Sequence, residues 1–203
     1  MERGRLIVFE GIDGCGKSTQ IQLLADWLET RGRRARVTAE PTDKDTGKML
    51  REALSGMVKR TPFEMAAMFV LDRIVHNTAE DGIEATLRKG EDMLSDRYYY
   101  SSLAYQGSLC DFHWVKDMNV NCPAIRHPDL CIFLDIPPKE ALARIGRRGE
   151  AKEIYEKEET LTLFRDTFLR VFESIGDRVA IIDATGTPEE VAERVRAAVK
   201  TIL

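Results

Sequence analysis

The segment that most constrains the fold of this chain is a glycine-rich turn between a short apolar run and a helical pattern. It reads Gly11-Ile-Asp-Gly-Cys-Gly-Lys-Ser18 and matches the pattern G-x-x-x-x-G-K-[ST]. The apolar run covers residues 6–9, and the helical pattern covers residues 20–28. This order predicts a phosphate-binding loop, because the glycines let backbone N–H groups turn inward around phosphate oxygens and the helix N-terminus adds positive potential.

Two side chains of this loop have predicted tasks of their own. Lys17 is expected to reach the β- and γ-phosphates of a bound nucleotide, which makes it a predicted catalytic residue. The hydroxyl of Ser18 is expected to ligate Mg²⁺. The residues predicted to bind ATP are the whole loop and the residue after it: Gly11, Ile12, Asp13, Gly14, Cys15, Gly16, Lys17, Ser18 and Thr19.

Apolar runs of strand length alternate with longer helical patterns along the chain. Near-continuous apolar runs suit parallel strands that are covered on both faces. Thr61-Pro-Phe-Glu64 and Thr187-Pro-Glu-Glu190 each predict a helix start with a capping box. We therefore expect a doubly wound α/β fold, in which helices cover both faces of a parallel five-stranded sheet. Residues 1–203 are expected to form one domain. The predicted strands are residues 6–9, 35–38, 92–96, 130–134 and 179–183.

Composition narrows the classes of protein to which the chain can belong. The net charge of −4 argues against a general nucleic-acid binder, whose surface would carry a basic excess. No stretch approaches the length of a membrane span, and the apolar run near the N-terminus is too short for a signal peptide. The cysteines are scattered without metal-ligand spacing, so we expect free thiols and a cytoplasmic protein. They are Cys15, Cys110, Cys122 and Cys131.

A phosphate-binding loop also occurs in guanine-nucleotide switches, which are the alternative from another functional class. Such a switch needs a D-x-x-G segment soon after the loop and an N-K-x-D motif that recognises the base. Residues 183–186 read Asp-Ala-Thr-Gly, but they lie far down the chain, and no N-K-x-D occurs. The sequence therefore favours a kinase.

Residues 95–107 read Ser-Asp-Arg-Tyr-Tyr-Tyr-Ser-Ser-Leu-Ala-Tyr-Gln-Gly. This string resembles the D-R-[YFH]-x-x-S-x-x-A-Y-Q-G signature of the thymidylate kinase family. The segments LIVFEGIDGCGKSTQ, MFVLDRIVH, LDIPPKEALARI and IDATGTPEEV resemble the same family, in order, over nearly the whole chain. The resemblance implies transfer of phosphate from ATP to dTMP with Mg²⁺, a step in dTTP synthesis, by a homodimer. Another nucleoside-monophosphate kinase on the same scaffold is the alternative.

Phe69 and Arg73 are four residues apart in a helical stretch, so their side chains share one face. A ring and a guanidinium at this spacing can hold a pyrimidine, with Phe69 stacked on it and Arg73 donating to O4. Cytosine carries an amino donor at that position, so Arg73 would reject it. Both residues stand where the family carries a stacking Phe and a base-reading Arg.

The resemblance also implies roles for residues elsewhere in the chain, chiefly within residues 61–110, where the dTMP-binding helices are expected. Arg97 would bind the 5′-phosphate of dTMP and take part in catalysis, and Tyr105 would lie beneath the deoxyribose and exclude a ribose 2′-hydroxyl. Asp96 would orient Mg²⁺-bound water. The remaining implied contacts to the nucleotide come from Asp13, Ser102 and Gln106.

The chain departs from the family pattern in two places. Where the family often reads R-E-P-G-G-T, the chain has Ala39-Glu-Pro-Thr-Asp-Lys44. The arginine is missing, and Lys44 or Lys48 would be its substitute. Second, Gly14 stands where some members carry an arginine inside the phosphate loop.

Members that lack the loop arginine supply the cation from a mobile lid. The arginine-rich segment of residues 144–157 is the expected lid here, and Arg147 and Arg148 are the predicted catalytic arginines. Arg144 is the next candidate. An arginine at position 14 is expected to restore part of the activity if both lid arginines are removed.

Overall fold

A computed structural model describes residues 3–148 and 157–203, without the side chains of residues 147 and 148. Its sheet has five parallel strands in the spatial order β2-β3-β1-β4-β5. Every strand expected from the sequence is present, which confirms the predicted doubly wound α/β fold. The strands are β1 Leu6–Glu10, β2 Ala35–Ala39, β3 Asp92–Asp96, β4 Leu130–Asp135 and β5 Val179–Asp183.

The helices connect the strands and begin where the sequence provides start signals. Thr61 and Thr187 each accept from the backbone N–H three residues on, and the glutamate at that position bonds back, so both predicted capping boxes are confirmed. The helices are α1 Lys17–Glu29, α2 Asp45–Leu54, α3 Pro62–Thr78, α4 Ile83–Arg88, α5 Tyr99–Tyr105, α6 Phe112–Val120, α7 Pro138–Arg148, α8 Glu158–Ser174 and α9 Pro188–Val199.

The core has two layers because alternate strand residues point to opposite faces of the sheet. Ile7 and Phe9 of β1 pack in the layer to which α1 and α9 contribute. Leu6 and Val8 pack in the other layer, with side chains of α3, α4, α5 and α6. Helix α8 contributes to both layers. Burial of each such aliphatic or aromatic side chain contributes about 1.5–3 kcal/mol, so helices are held on both faces.

The strand ends determine where a ligand can bind. In open parallel sheets, ligands bind beyond the carboxyl ends of the strands. Glu10 ends β1 and Asp96 ends the neighbouring β3, so the segments that follow them meet at one edge of the sheet. The chain's cysteines are free thiols, as expected. None of the described helices is both long and apolar enough to span a bilayer.

Candidate active site

The predicted phosphate loop connects β1 to α1. Gly11, Gly14 and Gly16 have φ of 147°, 81° and 101°, which side chains rarely permit. Lys17 begins the helix, and its Nζ donates to the carbonyl of Gly11 at 3.2 Å. The lysine is 8% exposed, so its ammonium group is folded back over the loop. Ser18 and Thr19, which follow it, are exposed.

Helix α7 packs directly on this loop at Gly14. A Cβ atom at this position would lie 2.5 Å from the carbonyl oxygen of Ala141 and 2.9 Å from Cγ1 of Ile145. An arginine therefore cannot enter the loop in this structure unless α7 moves. This close packing argues against the expectation that an arginine at position 14 would restore activity, which stays a prediction.

Arg144 is the one arginine of the predicted lid whose side chain belongs to the described part of the chain. It donates to the carbonyl oxygens of Cys15 at 3.3 Å and Ala184 at 2.9 Å. Its charge thus lies beside the phosphate loop. Residues 149–156 and the side chains of Arg147 and Arg148 lie outside the described residues.

Asp96 ends β3 beside the phosphate loop. Its Oδ1 atom is buried without a hydrogen-bond partner among the described residues. A buried oxygen of this kind is usually satisfied by a hydrogen-bond donor or a cation from outside the protein chain. Within the described ranges, no group of three or more His, Cys, Asp or Glu is arranged to hold a metal ion. A magnesium ion bound through phosphates does not need one, because it usually takes one or two protein ligands.

A cavity of about 190 Å³ opens beside the loop. All seven residues predicted to contact the acceptor nucleotide line it, although they come from three separate segments of the chain. The sequence pattern and the geometry therefore select the same region. The seven are Asp13, Phe69, Arg73, Arg97, Ser102, Tyr105 and Gln106; Glu40, Pro41, Leu54, Tyr98 and Ser101 complete the lining.

Arg97 occupies the end of the cavity nearest the loop. It has φ of 68°, a left-handed conformation that costs a non-glycine residue of order 1–3 kcal/mol. Its Nη2 donates to Asp13 Oδ1 at 2.5 Å and its Nη1 to Ser101 Oγ at 3.1 Å. Burial lowers the pKa of Arg97, but electrostatic interactions with the Tyr105 hydroxyl group, Asp13 and other neighbours raise it by more, so the net shift is upward. The guanidinium is a permanent cation.

Glu10 is a fully buried carboxyl group that anchors the segment carrying Arg97. Its Oε1 accepts from the backbone N–H of Tyr98 at 2.9 Å and of Ser101 at 3.1 Å, and its Oε2 accepts from Ser101 Oγ at 2.7 Å. Burial raises the pKa of Glu10 to about 7, against the opposing effect of Arg97. These bonds fix the start of α5 against the end of β1.

Arg73 lies at the far end of the cavity and is 1% exposed. Its Nε and Nη2 donate to Glu40 Oε2 at 2.8 and 2.6 Å, and its Nη2 also donates to Ser102 Oγ at 3.2 Å. Its Nη1 donates to Oδ1 of Asn119 on α6. The arginine predicted to read the base is thus held by three side chains.

Tyr105 lies along one side of the cavity. Its ring packs against Phe164 of α8, with centroids 4.3 Å apart, and the Arg97 guanidinium lies 5.6 Å from its centroid. Burial raises the pKa of Tyr105, so its hydroxyl group stays neutral near pH 7. Phe69 of α3 and Gln106 are further lining residues.

Neither of the two lysines suggested as substitutes for the missing arginine, Lys44 and Lys48, reaches the cavity. Lys44 donates to both carboxylate oxygens of Asp81 at 2.6 Å, and Lys48 pairs with Asp45 at 3.0 Å. Neither lysine lines the cavity, so the structure gives no support to either as the missing arginine. Arg51 of α2 donates to the carbonyl oxygen of Pro41, a lining residue, at 3.1 Å.

The same turn is held by a buried carboxylate. Asp72 of α3 accepts from the backbone N–H and the hydroxyl group of Thr42 at 2.8 and 2.6 Å, and from the hydroxyl group of Thr46 at 2.6 Å. Thr42, which stands where the family often has glycine, is therefore held by Asp72.

Sequence reasoning missed three residues that position the arginines of the cavity. Glu40 and Asn119 bind Arg73, and Glu10 anchors the segment that carries Arg97. Glu40 stands in the same short string as the recognised departure from the family pattern, and its position before Pro41 was the only local signal. Glu10 and Asn119 carry no signal of their own, because their partners lie far away along the chain.

The family model described as Thymidylate kinase matches residues 9–195. The "Probable thymidylate kinase" of Pyrococcus horikoshii is 37% identical over 204 residues, which cover 98% of this chain and 97% of the relative. The "Thymidylate kinase" of Akkermansia muciniphila is 41% identical over 198 residues, which cover 97% of this chain and 91% of the relative.

These matches cover almost the whole chain, including the loop, the cavity-lining segments and α7. They agree with the family that the sequence strings at residues 95–107 and around the phosphate loop resemble. The chain therefore belongs to the thymidylate kinase family.

Proposed function

We propose that this chain carries out the reaction ATP + dTMP → ADP + dTDP, with ATP on residues 11–19 and dTMP in the cavity beside them. One observation carries this assignment. Asp13 belongs to the phosphate loop and also lines the cavity, where it accepts a hydrogen bond from Arg97. The site for the donor phosphates and the site for the acceptor therefore share a border, as a direct transfer between them requires.

The base of dTMP would lie at the Arg73 end of the cavity, with Phe69 stacked on it. Arg73 and Ser102 both present hydrogen-bond donors there, and O4 of thymine is an acceptor. The amino group of cytosine would face the arginine donor instead, and leaving buried donors unpaired costs about 1–3 kcal/mol. Gln106 and Tyr105 would contact the base and sugar.

The 5′-phosphate of dTMP would lie at the Arg97 end. The transfer is an in-line displacement by an oxygen of that phosphate, and we assign no general base because a phosphate oxygen is already nucleophilic. The chain's contribution is positioning and charge neutralisation by Lys17, Arg97 and the lid arginines Arg147 and Arg148. Closure of the lid would also keep water from accepting the phosphoryl group.

Magnesium fits the residues at the strand end. Ser18 would ligate the ion. Asp96, whose buried Oδ1 atom has no hydrogen-bond partner in the described part of the chain, would bond to its water shell. When bound, the ion would neutralise charge on the β- and γ-phosphates. A cytoplasmic location would suit both the substrates and the free thiols of the chain.

We also propose that the protein is a homodimer formed through α3. This helix exposes apolar side chains at helical spacing: Phe63 and Leu71 are 57% and 49% exposed, and Ala67 is exposed between them. A second copy of the same face would cover this stripe. Light scattering of the wild type and of Leu71→Asp tests the assignment: a monomeric wild type contradicts it, and so does a variant that remains dimeric.

A coupled assay of ADP release across the common nucleoside monophosphates tests the function. We expect dTMP to be the best acceptor and dUMP to be weaker by about 10- to 200-fold, the range that one methyl group allows in an apolar pocket. We expect dCMP to be far worse, because its amino group opposes Arg73. If dCMP or AMP outperforms dTMP, the assignment of the base is wrong.

A further inference from the structure

We propose that Glu40 and Asn119 are specificity-determining positioning residues, which hold Arg73 so that one N–H of its guanidinium is left for the acceptor base. The proposal rests on the function proposed above and concerns how the same cavity distinguishes thymine from cytosine. Neither residue was indicated by the sequence pattern, and Asn119 does not line the cavity.

The count of donors on Arg73 carries the first step. A guanidinium has five N–H donors and no acceptor. The N–H of Nε and one N–H of Nη2 are taken by Glu40, and the second N–H of Nη2 is taken by Ser102. One N–H of Nη1 is taken by Asn119. One N–H therefore remains on Nη1 without a partner among the described residues.

The residues that hold Arg73 are themselves fixed from behind. Oε1 of Glu40 lies 2.9 Å from Nδ1 of His76, whose Nε2 lies 2.8 Å from the hydroxyl oxygen of Thr38. Glu40 is thus bonded through both carboxylate oxygens. Asn119 donates through Nδ2 to the carbonyl oxygen of Val115, one turn earlier in α6, at 2.8 Å. This bond sets which atom of the amide faces Arg73, because the nitrogen is already engaged by the helix.

The consequence is that Arg73 and Ser102 each present a hydrogen-bond donor at the base end of the cavity. The free N–H of Arg73 can only donate, and Ser102 has accepted from Arg73, which leaves its O–H to donate. A carbonyl oxygen such as O4 of thymine satisfies these donors, whereas an amino group does not satisfy the arginine. If Glu40 or Asn119 no longer holds Arg73, the guanidinium can rotate, and the penalty against cytosine falls.

Stability alone is a weak reason for such an arrangement. A buried ion pair is often no more stabilising than apolar residues of the same volume, so the pair of Glu40 and Arg73 is not explained by folding energy. Glu40 lines the cavity, and partners from three separate segments contact the guanidinium: the turn after β2, α5 and α6. This placement points instead to a role in orienting Arg73.

The test measures kcat/KM for dTMP and for dCMP in the wild type, Glu40→Gln and Asn119→Ala. We expect the ratio of the two values to fall by about tenfold or more in each variant, mainly because the KM for dTMP rises. The KM for ATP should change by less than about twofold, because the phosphate loop is not contacted. Asn119→Asp keeps an acceptor for Nη1 and should retain a ratio within about threefold of the wild type.

Asp92→Asn is the matched control, because it also breaks a buried carboxylate–arginine pair. Asp92 accepts from Nε and Nη2 of Arg33 at 2.8 Å, at the opposite end of β3 from the cavity. It should lower the thermal midpoint without changing the ratio. A cooperatively folded Asn119→Ala that keeps the wild-type ratio overturns the proposal, as does an Asp92→Asn that changes the ratio equally. A wild type that does not prefer dTMP would instead refute the proposed function itself.

Discussion

The phosphate loop and the nucleotide cavity are neighbours that are built in opposite ways. The loop is a run of eight residues whose shape comes from glycines with positive φ and from the start of α1. The cavity is held by side-chain pairs between distant segments: Arg73 and Glu40 are 33 residues apart, and Glu10 and Ser101 are 91 apart. Backbone geometry can be read from a local pattern, whereas paired side chains need the fold to bring them together.

The largest effect is expected on the loop side, from Arg147 and Arg148. Replacing both with Ala should lower kcat by roughly 10³- to 10⁵-fold, because an arginine that neutralises the transferred group has about that effect. The dissociation constant for dTMP should change little, since the cavity holds it independently. Single-turnover kinetics with equilibrium binding measures both quantities. A double variant with near-normal kcat would transfer the role to Arg144.

Gly14→Arg provides the companion test of how the loop and α7 share space. We expect it to lower activity in the wild type and to give no rescue of the double variant, because its Cβ would meet the backbone of Ala141. Rescue would mean that α7 moves away from the loop during turnover.

Arg97 lies on the border between the two regions, so its loss should affect both. Arg97→Ala should lower kcat/KM for dTMP by about 10²- to 10³-fold, the usual effect of removing one group that stabilises developing charge. Steady-state kinetics in both substrates measures this. Arg126→Ala is the control, because it also removes a partly buried arginine, one paired with Glu84 and Asp129 at the far end of β4. A similar loss in both variants would mean that Arg97 acts only structurally.

This contrast explains which features the sequence could predict. All five strands, both capping boxes and the loop were predictable, because each depends on a short pattern of apolar, capping or glycine residues. Phe69 and Arg73 were predictable as neighbours because they share a helix face. The partners of the arginines were not, because nothing local distinguishes Asn119 from a solvated asparagine on a helix. Lys44 and Lys48 were suggested by proximity in sequence, but nearby carboxylates bind both of them.

Glu10 links the loop strand to the cavity helix and should make stability depend on pH. Its pKa rises from an ordinary 4.5 to about 7 on folding, so the native state binds this proton more tightly than the unfolded state. Its contribution to stability is therefore present below pH 4.5 and is lost as pH rises to about 7, by at most about 3 kcal/mol. Glu10→Gln should remove this loss, because glutamine stays neutral and can accept the same N–H bonds.

Urea unfolding between pH 5 and pH 8 measures this effect. We expect the free energy of unfolding of Glu10→Gln, relative to that of the wild type, to increase with pH and to level off above about pH 7. Glu193→Gln, at an exposed site, is the control and should show no such trend. A difference that is constant over this range would contradict the raised pKa.

The smallest effect concerns the sugar on the cavity side. Tyr105 is wedged between Phe164 and the Arg97 guanidinium, so its ring cannot move aside for a 2′-hydroxyl group. Forcing extra atoms into a packed site costs about 1–3 kcal/mol, which corresponds to roughly 5- to 150-fold in kcat/KM. Tyr105→Ala should raise the relative activity on ribo-TMP by that factor, while the KM for ATP stays unchanged because the loop is built separately. Tyr105→Phe keeps the ring and should still exclude ribose, because the ring is the steric barrier. The neutral hydroxyl group that this variant loses carries no charge. If the alanine variant still excludes ribo-TMP, the ring is not the barrier, and the choice of sugar lies with other residues of the cavity.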